Sequence, residues 1–213
     1  MGESVNRTRV AIVDYGMGNL RSVEKAFARV GHPAAITSDP ADIADATHVV
    51  LPGVGSFPAC MSNLENRGLA EPVLRAIEAG KPFLGLCVGM QILFSEGEEF
   101  GRHPGLGVFS GRVARFPESV GKRGLKVPHM GWNTLTFRRR PPAMRNVGDG
   151  SYVYFVHSYV VLPDDPGVIA ATTEHGVEFV SAVWKDNIVA TQFHPEKSQG
   201  VGLSIIEEFG KLG

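Results

Sequence analysis

The feature that most constrains this chain is an alternation confined to its first half. Short apolar runs at Val10–Val13, Ala34–Thr37, His48–Leu51 and Phe83–Leu86 are interleaved with segments of helical spacing. Leu20, Val23, Phe27 and Val30 mark one helix, with Asn19 placed to cap it. Leu69–Ala79 marks another, with Val73, Leu74 and Ile77 inward and Gly80 as its stop. Met90–Phe94 reads as helix after the fourth strand. Strands joined by helices run parallel and are covered on both faces. The second half changes character. Gly111–Phe116, Asn133–Phe137, Tyr152–Val161, Val168–Thr173 and Val180–Phe193 are β-rich and broken by Gly, Pro and Asp, the pattern of antiparallel strands. Leu203–Phe209 reads as a closing helix. The expected fold is α/β, with a mixed, mostly parallel central sheet flanked by helices and antiparallel strands in the C-terminal half. One domain over residues 1–213 is the simplest organisation, with residues 1–8 a candidate flexible tail.

Composition excludes several classes of function. At 213 residues, 43% hydrophobic and 20% charged, the chain is long enough for a substantial core. Its formal net charge is −1, and its one basic run, Arg138-Arg139-Arg140, lies beside Pro141-Pro142 as a solvated loop would. No nucleic acid partner is expected from that balance. No apolar run approaches the roughly 18 residues of a membrane span, and Met1–Arg9 lacks the apolar stretch of a signal peptide. A reduced, cytoplasmic setting is therefore expected, in which the two cysteines, Cys60 and Cys87, are free thiols. The seven histidines are scattered, with no C-x-x-C and no H-E-x-x-H, so no metal site is expected. Asp14-Tyr15-Gly16-Met17-Gly18 lacks the third glycine of a dinucleotide loop, because Arg21 stands in its place. No cofactor is expected.

Two segments carry chemistry. In Gly85-Leu86-Cys87-Val88-Gly89 an apolar strand runs directly into a helix, a G-x-nucleophile-x-G pattern with cysteine as nucleophile. Small neighbours leave room for a sharply turned nucleophile, and the Val88 N–H then lies where an oxyanion would form. A lone motif of this kind also fits a buried core cysteine. Cys60 lies in a mixed Ala-Cys-Met-Ser stretch without such a frame. In Ala190-Thr-Gln-Phe-His-Pro-Glu-Lys-Ser198 a strand ends at His194, with Glu196 two residues on. Residues i and i+2 of extended chain point to one side, so Glu196 can orient His194 and stabilise its charged form. Read alone, this segment also fits a surface histidine in a turn.

Together these segments resemble the class I, triad-type glutamine amidotransferases, whose fold has a flavodoxin-like core. The similarity extends over nearly the whole chain. Asp14-Tyr-Gly-Met-Gly-Asn-Leu-Arg-Ser-Val23, Pro52-Gly53-Val54-Gly55, Lys126-Val-Pro-His-Met-Gly-Trp-Asn133 and Tyr154-Phe-Val-His-Ser-Tyr159 are similar, in that order, to one branch, the glutaminase subunits of imidazole glycerol phosphate synthase. The resemblance implies a nucleophile at Cys87, a base at His194 and an orienting acid at Glu196. It implies oxyanion donors at Val88 and Val54, the latter once the Gly53–Val54 peptide turns inward. Glutamine contacts are implied at Gly55, Gln91, Glu99, His157, Ser158 and Tyr159. Gln91, one helical turn after Cys87 and on its side, is the best supported by spacing. Glu99 also reads as a solvated helix-end residue, and His157 as a buried structural histidine.

With one domain expected, no second domain is expected to consume the ammonia. The resemblance therefore implies glutamine as substrate and a separate cyclase subunit with a (β/α)₈ barrel, forming a heterodimer in a step of histidine biosynthesis. Trp132 and Tyr154, with Lys197 nearby, are expected on the partner-facing surface. The alternative is a glutaminase subunit serving anthranilate, aminodeoxychorismate or pyridoxal phosphate synthesis.

Overall fold

The computed structural model describes residues 8–213. In chain order it contains β1 (Val10–Val13), α1 (Leu20–Arg29), β2 (Ala34–Thr37), α2 (Pro40–Asp45), β3 (His48–Gly53), α3 (Phe57–Asn66) and α4 (Ala70–Glu78). The elbow follows as β4 (Phe83–Cys87) and α5 (Val88–Gln91), then β5 (Phe94–Gly97), β6 (His103–Pro104), β7 (Phe109–Arg115) and α6 (Glu118–Lys122). The remainder comprises β8 (His129–Thr134), β9 (Thr136–Phe137), β10 (Tyr152–His157), β11 (Tyr159–Pro163), β12 (Ile169–Glu174), β13 (Glu178–Lys185), β14 (Ile188–Thr191) and α7 (Gln199–Gly210).

An eight-stranded sheet in the order β2-β1-β3-β4-β14-β13-β12-β9 forms the frame. Its strands β2, β1, β3, β4 and β14 are parallel to one another, and β13, β12 and β9 extend it antiparallel. The mixed sheet expected from the sequence is therefore present. Its period-two alternation builds two cores. Ala11, Val13, Val49, Leu51 and Phe83 face one side, with residues of α3 and α4. Val10, Ile12, Val50, Leu84 and Leu86 face the other, where residues of α1 and α7 cover them. Each fully buried Val, Leu or Phe of this kind stabilises the fold by about 1.5–3 kcal/mol. Cys87 belongs to the first face.

Several local expectations are corrected. The helix expected over Met90–Phe94 ends at Gln91, and Phe94 instead opens β5, where it pairs with Phe109. Apolar runs this short fit helix and strand alike, and the β7 edge decides. Asn19 stands at the cap position of α1, but its side chain makes no capping bond. In α4, Ala76 joins Val73 and Ile77 in the core while Leu74 is only half-buried. The β segment expected over Val180–Phe193 is two strands, β13 and β14, turning at Asp186, whose φ is 51°. The segment expected over Tyr152–Val161 breaks at Ser158. Its first part, β10, pairs with β8 as a separate two-stranded ribbon. Its second, β11, joins a four-stranded sheet in the order β11-β7-β5-β6. Of the candidate tail, residues 1–7 lie outside the described residues, while the Thr8 hydroxyl donates to the Gly210 carbonyl at 3.3 Å. Arg138, Arg139 and Arg140 are exposed, as expected of that loop, but each has a partner: Glu178, the Trp184 ring and the Phe137 ring.

Candidate active site

The carboxyl ends of β3 and β4 meet the β8–β10 ribbon and the segment after β14 around one cavity. Cys87 sits at the turn from β4 into α5 with φ 55° and ψ −112°, outside the conformations most side chains adopt. The glycines around it are required by packing. A Cβ on Gly89 would lie 1.9 Å from the Leu51 carbonyl oxygen, and one on Gly53 would lie 2.5 Å from the Gly89 nitrogen. A Cβ on Gly85 would press on Ala190 at 3.0 Å. The strained turn at Cys87 is thus held by backbone-to-backbone contact between β3 and α5.

His194 follows β14 and is buried, with 3% of its side chain exposed, and the Glu196 side chain is 1% exposed. His194 Nδ1 and Glu196 Oε1 are 2.8 Å apart. The His194 main chain is also fixed, because its N–H donates to the Tyr154 carbonyl at 2.9 Å and its carbonyl accepts from the Ser198 hydroxyl at 2.7 Å. Nε2 is buried and makes no hydrogen bond, and His194 lines the same cavity as Cys87. Burial opposes the positive charge, but interaction with Cys87 and Glu196 outweighs it and pushes the imidazole up to about 10.

The cavity, about 300 Å³, is lined by Val54, Gly55, Cys87, Val88, Gln91 and Glu99 on one side. Pro128, Val156, His157, Ser158, Tyr159, His194 and Lys197 line the other. Every position expected to hold glutamine is among them. The individual side chains are more constrained than their spacing implied. Gln91 is buried and donates both N–H bonds of its amide internally, to the Tyr159 carbonyl at 3.2 Å and to Gln192 Oε1 at 2.9 Å, which leaves Oε1 to accept. Glu99 is no helix-end residue. It follows β5 and accepts the Phe57 N–H at 2.7 Å, capping α3 across the chain.

His157 is a wall of the cavity with both ring nitrogens engaged. Nδ1 donates to the Tyr159 carbonyl at 2.9 Å, so Nε2 accepts from His129 Nδ1 at 3.1 Å. Burial pushes His157 down to about 3 and His129 to about 4, with neighbouring histidines adding to the effect, so both are neutral.

Gln192, fully buried, was not singled out from the sequence. It braces Gln91 and its amide donates toward the Cys87 sulfur at 3.7 Å. Its signal was available: a polar residue in a buried apolar strand end, two positions before His194 and on the same side.

Trp132 and Tyr154 lie on the outer face of the ribbon rather than in the cavity. They are directly paired in register, with ring centroids 6.0 Å apart, and Lys197 Nζ lies 5.9 Å from the Tyr154 ring. Met130 and Tyr152 share the exposed face with Trp132. Lys197 joins this patch to the cavity. Among the described residues, no group of three or more His, Cys, Asp or Glu is disposed to hold a metal ion, and no helix is long and apolar enough to cross a membrane.

Comparison with known proteins identifies the family of the chain. The family model described as "Glutamine amidotransferase class-I" matches residues 11–211. The chain is 60% identical over 207 residues to the imidazole glycerol phosphate synthase subunit HisH of Geobacter sulfurreducens, covering 96% of this chain and 99% of that relative. It is 55% identical over 205 residues to the subunit of the same name from Syntrophotalea carbinolica, covering 95% and 100%. Among solved structures, PurLQS from Thermotoga maritima matches with a TM-score of 0.73 at 18% identity, over 95% of this chain and 97% of that one, which speaks to the fold alone. The chain belongs to the class I glutamine amidotransferase family, among the HisH subunits of imidazole glycerol phosphate synthase.

Proposed function

We propose that the chain hydrolyses glutamine to glutamate and ammonia through Cys87, His194 and Glu196, and passes the ammonia to a separate cyclase subunit that forms imidazole glycerol phosphate. The observation that carries this reading is the buried His194–Glu196 pair at 2.8 Å beside a cysteine held at positive φ on a cavity wall. The Cys87 sulfur attacks the carboxamide carbon as its proton passes to His194 Nε2, which becomes the imidazolium. Val88 N–H, and Val54 N–H when its peptide faces inward, stabilise the oxyanion. The His194 imidazolium gives its proton to the departing nitrogen, and ammonia leaves a thioester on Cys87. The same imidazole, now neutral, takes a proton from water as the water attacks the thioester. Collapse expels the Cys87 sulfur and frees glutamate. Glu196 keeps Nδ1 protonated and Nε2 aimed at the reacting atoms.

Gly55, Gln91, Glu99, His157, Ser158 and Tyr159 hold glutamine in the cavity, with Gln91 acting through its free Oε1. Glu99 retains capacity to accept from the substrate ammonium beside its bond to Phe57. Trp132, Tyr154 and Lys197 form the docking face for a (β/α)₈ cyclase in a heterodimer. A cytoplasmic setting suits a pair of buried, free thiols. The 60% identity to HisH favours this pathway over anthranilate, aminodeoxychorismate or pyridoxal phosphate synthesis.

The test is steady-state glutaminase kinetics for the chain alone, with the cyclase subunit, and with that subunit carrying its nucleotide ligand. Slow hydrolysis alone and a rise mainly in kcat with the liganded partner are expected, because an effect on the oxyanion acts on the transition state. Full-speed hydrolysis alone, unchanged by the partner, would favour a stand-alone hydrolase.

A further inference from the structure

Tyr15 and Cys60 are fully buried, and neither has a part in the chemistry of Cys87. Each is committed to one carbonyl of the strand end that carries Val54. The Tyr15 hydroxyl donates to the Pro52 carbonyl at 2.6 Å, and the Cys60 thiol donates to the Val54 carbonyl at 3.5 Å. Those carbonyls belong to the peptide planes immediately before and after the Gly53–Val54 plane. We propose that Tyr15 and Cys60 are positioning residues of the oxyanion site, clamping the two flanking peptides so that the Gly53–Val54 peptide is the one plane left to rotate.

The geometry supports a single rotating plane. Turning one peptide changes ψ of the residue before it and φ of the residue after it in opposite senses, so the chain on either side stays in place. Gly53 permits that change of ψ, while the backbone of α5 closes around its Cα and prevents the residue itself from moving. Val54 and Gly55 are exposed to the cavity, so the plane has space to turn. The clamps stand on rigid elements: Tyr15 follows β1, and Cys60 lies in α3. Burial, with Cys60 and Cys87 nearby, raises the Tyr15 hydroxyl well above its ordinary range, and burial raises the Cys60 thiol to about 11. Both therefore remain protonated donors throughout the neutral range. Without the clamps the strand end would sample many orientations, and the Val54 N–H would be aimed at the oxyanion for a smaller fraction of the time.

This inference rests on Cys87 being the nucleophile and Val54 an oxyanion donor, and its test separates the two claims. Tyr15→Phe, Cys60→Ala, Cys60→Ser and Cys87→Ser are assayed as full chains with the liganded cyclase subunit. Loss of a buried neutral donor predicts a fall in kcat of roughly tenfold for Tyr15→Phe and roughly three- to tenfold for Cys60→Ala, with KM within about twofold. Cys60→Ser restores a donor and should recover most of that loss. Alkylation of Cys87 by iodoacetamide needs no oxyanion donor, so its rate should match the parent chain in every clamp variant. Wild-type kcat in Tyr15→Phe and Cys60→Ala, with Cys87→Ser inactive, overturns the clamp alone. Hydrolysis surviving in Cys87→Ser overturns both readings. Should Tyr15→Phe fail to fold, the Cys60→Ala and Cys60→Ser pair decides: equal kcat in the two removes the clamp.

Discussion

The elbow at Cys87 and the β8–β10 ribbon wall the same cavity by opposite means. The elbow is backbone packed on backbone. Gly53 and Gly89 have no room for a Cβ and Gly85 has little, and the Cys87 side chain is held at a strained φ by everything around it. The ribbon is a two-stranded unit whose side chains are packed on one face and exposed on the other. Its inner face carries His129, Phe155 and His157 into an aromatic cluster with Phe116 and Phe179. Its outer face leaves Met130, Trp132 and Tyr152 in solvent. A two-stranded hairpin is marginal by itself, so the ribbon depends on that inner cluster and on Tyr154, whose carbonyl accepts the His194 N–H. The difference teaches where function can be adjusted. Under the proposed mechanism the elbow tolerates no change without loss of the proposed nucleophile, whereas the outer ribbon face can be shaped by the proposed partner while its backbone still holds His194.

The sharpest way to break this contrast is at the reacting atom. Cys87→Ser should lower glutamine hydrolysis by at least roughly 10³-fold while circular dichroism and partner pull-down remain normal. Activity within a few-fold of the parent chain would remove Cys87 from the reaction. Next in size, Gly89→Ala should destabilise the isolated chain by about 3 kcal/mol, since its Cβ meets a carbonyl oxygen that cannot move aside. An unchanged melting temperature would show that the elbow is looser than its contacts indicate.

Trp132→Ala tests the ribbon's outer face. A side chain 45% exposed contributes little to the isolated fold, so the melting temperature should stay near that of the parent. Affinity for the cyclase subunit should fall by about 2 kcal/mol, a hot-spot value for tryptophan. A large drop in melting temperature with unchanged affinity would make Trp132 a core residue instead.

The smallest effect concerns the ribbon's inner face and pH. The folded chain holds His129 at about 4, below its ordinary value near 6.5. Above pH 6.5 both folded and unfolded forms are neutral. As pH falls from 6.5 to 4 the unfolded chain takes up a proton that the native chain refuses, so stability is lost over that window. His129→Gln removes the titrating group, and its melting temperature should decline less between pH 6.5 and 4, by about a few degrees. Parallel curves would place His129 outside the acid sensitivity of the fold.

Much of this molecule was legible in the residues. Continuous apolar runs at Val10–Val13, His48–Leu51 and Phe83–Leu86, bounded by glycine, proline and helical segments, read as strands that bury both faces, as they do. The pairing of His194 with Glu196 was legible because i and i+2 share a side of extended chain. The break at Ser158 was not. Tyr152–Val161 carries one unbroken β pattern, and only the competing edges of β8 and β7 divide it between two sheets. Gln192 likewise shows a polar side chain in the sequence but no partner, since Gln91 lies 101 residues away.

The chain by itself determined which residues could react and which stretches must be strand or helix, because those follow from side-chain chemistry and from contacts within a few positions. Tertiary structure alone decided that Gln91 offers only its oxygen, that Glu99 caps α3 and that His157 has both nitrogens engaged. It also decided that Tyr15 and Cys60 hold the peptides flanking Gly53–Val54. Each of these is a hydrogen bond across tens of residues, apart from His157's own bond to Tyr159 and the Cys60 thiol, which closes back onto the strand leading into its helix. Such bonds form where separate elements converge, and no local pattern encodes which donor will meet which carbonyl.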